Sequence, residues 1–322
     1  MTDAEWMQAA IALGERARGT TAPNPNVGCV LVRDGRLVAE GWTQPGGRPH
    51  AEAIAMESAG EQARGATAYV TLEPCAHENG RGPACAPALA EAGIVRVVAA
   101  IGDPDPRTNG LGFARLREAG VAVDIGTCHE DAERSLVGFL TRQRLGRPHV
   151  TLKLAMSIDG AIALASGESR WITGAEARAD VHRERALADM ILVGRGTLEA
   201  DSPSLDVRIA GLENRSPRRA LLTRGEAPEG WVRIADPSDI FRLHDVNELL
   251  VEGGAGAAAA FLAADLVDRL LVYRAPILIG GGRRSVDEIG LASLADAHGR
   301  WTAIETRMLG IDRREVYDRA RN

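Results

Sequence analysis

Aromatic rings, cysteines and surplus positive charge are all scarce in this sequence. Aromatic residues make up 4% of the chain, and the formal net charge is −6. Proteins that bind nucleic acid combine a basic surface with exposed aromatic rings, so the composition counts against a nucleic-acid partner. Four cysteines are too few for a disulfide framework in 322 residues, and paired cysteines in a cytosolic chain are more typical of metal binding.

Segments that direct a protein into or across a membrane are also lacking. The first residues contain no basic stretch followed by an apolar run. No segment approaches the roughly 18 uninterrupted apolar residues of a membrane span. We therefore expect a soluble cytoplasmic protein without a membrane partner. The length of 322 residues exceeds the usual size of one domain, which favours two domains of about 150 residues each.

Strands that alternate with helices predict an α/β fold. A capping box, Thr2-x-x-Glu5, opens the first helix, which we expect to end near Gly19. A turn at Asp34-Gly35 predicts a hairpin. The strands are predicted at 27–32, 37–41, 68–72, 95–101 and 121–125, and the later helices at 51–60, 86–92, 114–119 and 130–142. This order indicates a sheet that helices cover on both faces.

A charged segment with glycine and proline, 144–148, marks the predicted domain boundary. The domains then span residues 1–146 and 147–322. The second domain is again α/β, with strands predicted at 150–155, 190–194, 219–222, 249–252 and 269–274 and helices at 175–188 and 257–264.

A histidine, a glutamate and two cysteines follow one another in the order that zinc deaminases use. His50 and Glu52 form a His-x-Glu pair, and a Pro-Cys pair at Cys75 is followed by Cys85. In these enzymes one imidazole and two thiolates hold the zinc. The fourth position stays open for a water whose pKa the metal lowers to about 7. Glu52 would then carry a proton from this water to the ring nitrogen and the departing ammonia.

Less specific interpretations of these residues stay open. A structural zinc site would normally have a fourth protein ligand, and His77 is the only nearby candidate. A loop histidine is usually a surface residue, and two separated cysteines are usually unrelated. The simple deaminase pattern has two residues between the cysteines, whereas nine intervene here. We interpret Cys29 and Cys128 as buried small apolar residues.

The first 146 residues resemble the deaminase half of RibD, a family of bifunctional riboflavin-biosynthesis proteins. The resemblance rests on the segments 23–28 and 71–77 and on the wide spacing before the second cysteine. It implies a cytidine-deaminase-like three-layer fold, with His50, Cys75 and Cys85 as zinc ligands and Glu52 as the proton carrier. The loop 77–83, which in the family shapes a pocket for a phosphoribosylated pyrimidine, is one residue longer than in some relatives. Asn24 would face the pyrimidine, although a turn residue between two prolines is an equal alternative.

The residues of the second half are less informative by themselves. The segment from Gly254 to Ala259 fits G-x-G-x-x-A after an apolar strand, which suits phosphate binding at a helix N-terminus. A Rossmann fingerprint follows the first strand of its domain, and this match comes late. A plain turn between a strand and a helix explains it equally well.

The second half resembles the RibD reductase at 152–155, 157–160, 167–173, 194–197, 201–208, 251–254 and 276–282, in family order. The resemblance implies a dihydrofolate-reductase-like fold that uses NADPH and transfers hydride to C1′ of the sugar. It places the cofactor against Ala155, Trp171, Thr197, Asp201 and the turn of Gly254, Ala255, Gly256, Ala257, Ala258, Ala259 and Ala260. The substrate would face Ser169, Arg185, Leu205, Arg208 and Glu252, with Lys153 as a further contact to the ribose.

Three arginines of this half are assigned to phosphate groups. Arg185 and Arg208 can supply paired donors to a sugar phosphate, although Arg185 alone would be read as part of a solvated helix face. Arg224 follows a predicted strand, and we hypothesise that it holds the 2′-phosphate that distinguishes NADPH from NADH.

The sequence therefore predicts a bifunctional enzyme of riboflavin synthesis. It would deaminate 2,5-diamino-6-ribosylamino-4(3H)-pyrimidinone 5′-phosphate and then reduce the product with NADPH. The resemblance also implies a dimer or a larger homo-oligomer. The alternatives are a deaminase that edits nucleic acid, a zinc scaffold without activity, and a deaminase whose second half is inactive.

Overall fold

Two large β-sheets organise the chain, one in each half. In the computed structural model, which describes residues 1–76 and 82–321, the chain divides into two compact units, Met1–Gly146 and Arg147–Asn322. The first unit contains a five-stranded sheet, and the second contains an eight-stranded sheet and a two-stranded one. Within the described part of the chain, no helix combines the length and the apolar character needed to cross a membrane.

The first unit places five strands in the order β2-β1-β3-β4-β5. Strand β1 runs antiparallel to both of its neighbours, whereas β3, β4 and β5 are parallel. The elements in chain order are α1 (Asp3–Glu15), β1 (Gly28–Arg33), β2 (Arg36–Trp42), α2 (Ala51–Ala59), β3 (Thr67–Val70), α3 (Cys85–Glu91), β4 (Arg96–Ala99), α4 (Leu111–Glu118), β5 (Ala122–Ile125), α5 (His129–Ser135) and α6 (Val137–Leu145).

Two glycines show that helices cover both faces of this sheet. Gly28 pairs with Trp42, and the next pair along the hairpin is Cys29 with Gly41, so the two glycines face opposite sides. A Cβ on Gly28 would lie 1.8 Å from the Ala10 carbonyl oxygen in α1, and one on Gly41 would lie 2.3 Å from an α2 carbonyl. The sheet is therefore the middle of three layers.

Several boundaries in the first unit differ from the sequence prediction. Helix α1 begins at the predicted capping box of Thr2 and Glu5 but ends at Glu15, before Gly19. The predicted helix 130–142 is two helices, and at the break the Ser135 carbonyl accepts a hydrogen bond from buried Asn26 at 3.2 Å. Strand β3 ends at Val70 instead of residue 72, so Cys75 lies in the loop that follows.

The second unit has a longer, mixed sheet in the order β10-β9-β8-β11-β6-β12-β15-β14. The first six strands are parallel, and the last two form an antiparallel hairpin at the edge. The elements are β6 (His149–Ser157), β7 (Ala161–Ala163), α7 (Ala175–Ala186), β8 (Met190–Gly194), α8 (Arg195–Asp201), β9 (Arg218–Leu222), β10 (Val232–Ile234), β11 (Glu248–Val251), α9 (Ala255–Ala263), β12 (Arg269–Ala275), β13 (Arg283–Arg284), β14 (Trp301–Leu309) and β15 (Asp312–Arg319).

The terminal hairpin of β14 and β15 was not predicted from the sequence. Strand β14 is exposed along nearly its whole length, so it has no apolar alternation. Strand β15 buries the charged residues Asp312, Arg314 and Glu315, which a search for apolar periodicity treats as surface. Buried ion pairs therefore join the strand ladder to β12 and the apolar contact of Val316 in attaching this hairpin to the unit.

Candidate active sites

Three metal-binding side chains of the first unit converge on one point. His50 is the residue before α2, Cys75 lies in the loop after β3, and Cys85 is the first residue of α3. The His50 Nδ1 atom lies 3.3 Å from the Cys85 Sγ atom and 3.6 Å from the Cys75 Sγ atom. All three ligand atoms lie within 4.8 Å of one another. A single metal ion can therefore contact all three.

The surroundings favour the thiolate form of Cys75. Hydrogen bonds from the Cys85 side chain, from His50 and from the Cys85 backbone N–H lower the pKa of Cys75, and that N–H lies 3.3 Å from the Cys75 Sγ atom. The contact with Cys75 also raises the pKa of His50. One imidazole nitrogen and two sulfur ligands fit zinc better than magnesium or calcium, which prefer oxygen ligands.

Glu52 lies in the first turn of α2, next to the donor set. Its side chain is only 3% exposed, and burial raises its pKa. Its charge interacts with His50 and Cys75, and its carboxyl group forms a hydrogen bond with Cys85. A buried carboxyl group with a raised pKa can take up and release a proton near neutral pH.

The remaining cysteines are outside this donor set. Cys29 is fully buried, as expected, and burial raises its pKa well above the usual value. The prediction for Cys128 is wrong in part, because this residue is only half-buried. It has a left-handed backbone before α5, where the chain turns at the unit surface. His77, the candidate fourth ligand, and most of the loop 77–83 lie outside the described residues.

Asn24 packs beside the loop that precedes the candidate zinc ligands. It is half-buried, and its Nδ2 atom lies 3.4 Å from the Gly46 carbonyl oxygen. A Cβ on Gly47 would lie 2.0 Å from the same Nδ2 atom, and the φ of Gly47 is +86°. Only glycine suits this position, so Asn24 and the loop before His50 are fitted to each other.

Two acidic residues near this site were missed in the sequence. Glu73 is buried and accepts backbone N–H groups of Asp103, Gly110, Gly112 and Phe113 at 2.9 to 3.2 Å. It thereby attaches the loop before α4 to the segment of Cys75. Burial raises the pKa of Asp103 to about 6. The sequence feature that could have indicated Asp103 is the run Asp-Pro-Asp-Pro at 103–106, in which acidic residues alternate with prolines.

A cavity of about 1490 Å³ in the second unit contains most of the predicted cofactor and substrate residues. The predicted substrate residues on its wall are Lys153, Ser169, Arg185, Leu205, Arg208 and Glu252. The predicted cofactor residues on its wall are Ala155, Trp171, Thr197, Asp201, Gly254, Ala255, Gly256 and Ala257. Arg178, His182 and Arg195 also line it, and no motif in the sequence points to them.

A buried carboxylate with two cations lies on one side of this cavity. The Arg185 guanidinium donates two hydrogen bonds, of 2.7 and 2.9 Å, to Glu252, and the Lys153 Nζ atom lies 3.7 Å from the same carboxylate. Burial alone would raise the pKa of Glu252, but the two cations lower it below its usual value. Arg185 also donates to the Asp206 carbonyl oxygen at 3.1 Å. The group is therefore charged and rigidly held.

A glycine turn on another part of the wall leaves room for a ligand. The Thr197 Oγ1 atom accepts the Gly254 N–H at 3.0 Å, just before α9 begins. A Cβ on Gly253 would lie 2.4 Å from the Ala257 Cβ atom. The first N–H groups of a helix have no partner within the helix, and here they border the cavity.

Some predicted positions do not line the described cavity. Ala258, Ala259 and Ala260 are absent from its wall, and Ala258 is fully buried in the core beneath α9, because the helix turns this side toward the sheet. Arg224 is exposed after β9 and is also absent from the wall. Arg195 lines the cavity close to the end of β9. Its Nη2 atom donates a hydrogen bond to the hydroxyl group of Thr223, the residue that follows β9, at 3.0 Å.

Both units have counterparts among proteins of known activity. Residues 1–101 match the family of the cytidine and deoxycytidylate deaminase zinc-binding region, and residues 148–236 and 239–310 match the RibD C-terminal domain. The chain thus combines a cytidine-deaminase-like unit with a dihydrofolate-reductase-like unit, and the predicted fold class is confirmed. It is a deaminase joined to a reductase.

Relatives that cover both units identify the family. The riboflavin biosynthesis protein RibD of Haemophilus influenzae is 40% identical over 98% of this chain and 97% of its own length, and that of Escherichia coli is 42% identical over 92% and 94%. The structure of Acinetobacter baumannii RibD superposes with a TM-score of 0.90, at 37% identity and 99% coverage of both chains. The chain belongs to the RibD family of bifunctional riboflavin-biosynthesis enzymes.

One further solved relative is named for both activities. A diaminohydroxyphosphoribosylaminopyrimidine deaminase/5-amino-6-(5-phosphoribosylamino)uracil reductase from Thermotoga maritima has a TM-score of 0.89, with 30% identity over 99% of both chains. The prediction of a bifunctional deaminase and reductase of riboflavin synthesis is therefore confirmed.

Proposed function

We propose that the first unit deaminates 2,5-diamino-6-ribosylamino-4(3H)-pyrimidinone 5′-phosphate at a zinc site formed by His50, Cys75 and Cys85. The observation that carries this proposal is the convergence of one imidazole and two thiols within 4.8 Å, next to a buried glutamate. Zinc bound by three protein donors supplies Lewis acidity and activates water at neutral pH. Asn24, packed against Gly47, is the proposed contact to the pyrimidine.

Glu52 is the proposed proton carrier of the deamination. Its carboxylate would take one proton from the attacking water and give it to the ring nitrogen, and would then move the remaining proton of the new hydroxyl group to the amino group that leaves as ammonia. Burial supports this role, because it raises the pKa of Glu52 and so keeps the protonated form accessible. The carboxyl group stands at the first turn of α2, where its backbone is fixed by the helix.

The second unit then reduces the ribosyl group of 5-amino-6-(5-phosphoribosylamino)uracil to ribityl. NADPH is the proposed cofactor and supplies the hydride. Ala155, Trp171, Thr197, Asp201 and the turn from Gly254 to Ala257 would hold it, since the glycines allow a pyrophosphate to approach the backbone and the first turn of α9 offers N–H donors.

The charged side of the cavity is the proposed place for the sugar phosphate. Arg185 and Arg208 supply guanidinium donors to the phosphate, whereas Lys153, Ser169 and Glu252 contact the ribose. Glu252 holds Arg185 by two hydrogen bonds, so the donors are oriented before the substrate binds. Leu205, which is 3% exposed, supplies an apolar wall.

Selectivity for NADPH over NADH is assigned to Arg195, with Arg224 as the alternative from the sequence. Arg195 lines the cavity and donates to Thr223. Replacing Arg195 by alanine should weaken NADPH binding about 10- to 100-fold and leave NADH binding nearly unchanged, since a charged hydrogen bond contributes about 1.5 to 3 kcal/mol. Arg224→Ala should preserve the ratio of the NADPH affinity to the NADH affinity. If only Arg224→Ala lowers it, the 2′-phosphate lies beside Arg224.

A homodimer or larger homo-oligomer is also proposed. Strand β14 is a nine-residue strand at the sheet edge, and its Ile304 and Met308 side chains are 49% and 61% exposed. Long exposed edges with apolar side chains are typical sites of association. Sedimentation of the purified chain should give an assembly that Met308→Lys dissociates, and a monomeric wild type would contradict this.

Metal analysis with separate assays of both steps tests the two-site assignment. The purified chain should contain one zinc, and Cys75→Ser should lose both the zinc and ammonia release. The same variant should still oxidise NADPH with the deaminated intermediate. Cys128→Ser is the matched control, because this cysteine lies outside the donor set. Deamination that survives zinc removal would refute the metal site.

A further inference from the structure

Helix α7 has two faces with different surroundings. Arg178, Val181, His182 and Arg185 line the reductase cavity, and their spacing of three and four residues places them on one face. Asp180 and Glu184 belong to the opposite face, where they contact the hairpin of β14 and β15. The hairpin therefore holds the helix from behind, at a distance from the cavity.

The start of α7 is fixed by the turn of the hairpin. Asp312 is 1% exposed, and its Oδ2 atom accepts the N–H of Gly174, the residue before the helix, at 2.6 Å. A Cβ on Gly310, which has a φ of +61°, would lie 2.8 Å from the Glu176 carboxylate. The turn is thus fitted against the first turn of the helix and supplies its cap from another part of the chain.

The middle of α7 is fixed by a buried carboxylate. Asp180 is 2% exposed and accepts from the Tyr273 hydroxyl at 2.8 Å and from Arg307 of β14 at 2.7 Å. Arg314 of β15 approaches Asp180 to 3.0 Å and also binds Glu184, one turn later, at 2.8 Å. Several directed bonds to one buried charge allow little sliding or rotation of the helix.

We propose that the β14–β15 hairpin is a positioning element of the reductase site. Through Asp312, Asp180 and Arg314 it sets the place of α7, and hence of Arg178, His182 and Arg185, which α7 presents to the cavity. This inference rests on the proposed function of the second unit. Asp312, Asp180 and Arg314 do not touch the substrate. A displacement of about 1 Å can lower a rate by about 100-fold, so the hairpin controls productive substrate binding.

Removal of the cap at Asp312 tests the proposal. Asp312→Ala should lower kcat/KM for the deaminated intermediate about tenfold, mainly through KM, since the displaced residues are substrate contacts. The dissociation constant of NADPH should stay within about threefold, because the glycine turn at α9 is held by Thr197, which lies outside the hairpin and outside α7. Asp312→Asn should restore kcat/KM, since asparagine also caps helices. Arg313→Ala is the matched control, because the ion pair of Arg313 among the described residues is with Glu315 of its own strand.

Arg307→Ala is a second test of the positioning role of the hairpin. Arg307 is half-exposed, so this variant folds even if changes at Asp312 do not, and it removes one donor from Asp180. The proposal is overturned if both variants keep the wild-type KM, or if KM and the NADPH dissociation constant rise together with a general loss of stability. A wild type that deaminates but does not reduce the intermediate would instead refute the proposed function of the second unit.

Discussion

Replacing Glu52 by glutamine isolates proton transfer from metal binding. The change keeps the size of the side chain and its place at the first turn of α2, and it removes only the ability to exchange a proton. Glu52 is 3% exposed, so bulk water cannot easily take over its role. General acid–base catalysis contributes about 10²- to 10⁴-fold to a rate, which corresponds to about 3 to 5 kcal/mol of activation free energy.

Ammonia release from the pyrimidine substrate is the assay for this prediction. Glu52→Gln should lower kcat by about 10²- to 10⁴-fold, while the zinc content and the reductase activity stay at wild-type levels. Glu57→Gln is the matched control, since Glu57 is exposed on the same helix. A Glu52→Gln protein that keeps its zinc and deaminates within about threefold of the wild-type rate would refute proton transfer by Glu52.

Three further predictions concern stability and the second site. Gly28→Ala should lower the free energy of unfolding by about 3 kcal/mol in denaturant titrations, because the new Cβ would press on a backbone carbonyl; Gly102→Ala, with contacts of 3.7 Å, should change it little. Glu252→Gln should lower reductase kcat/KM about 100-fold and spare deamination, because two cations lose their buried partner; equal loss of both activities would contradict this. Burial raises the pKa of Asp189 from 3.8 to about 6, so stability from its protonated form is present below about pH 4 and lost as the pH rises through 6. Asp189→Asn should therefore gain up to about 3 kcal/mol relative to wild type between pH 4 and 8, and a difference that does not vary with pH would exclude this effect.

Order and spacing in the sequence were enough to predict the deaminase residues. A helix start at His50 fixes Glu52 one half-turn away, and proline before Cys75 marks a turn after a strand, so local geometry already arranges much of the site. The same holds for the first capping box and for the alternating strands and helices. These features depend on neighbours in the chain, which a sequence displays directly.

The features that only the tertiary structure decided are contacts between residues far apart in the chain. No periodicity reveals that Glu73 binds four N–H groups some thirty to forty residues later, or that Arg195, rather than Arg224, lines the cavity. The terminal hairpin was missed because most of its buried residues are charged, and a buried charge is stable only beside a partner that folding brings to it. Local order and spacing therefore indicated the deaminase site, a family resemblance indicated the reductase, and long-range packing specified how the second site is held.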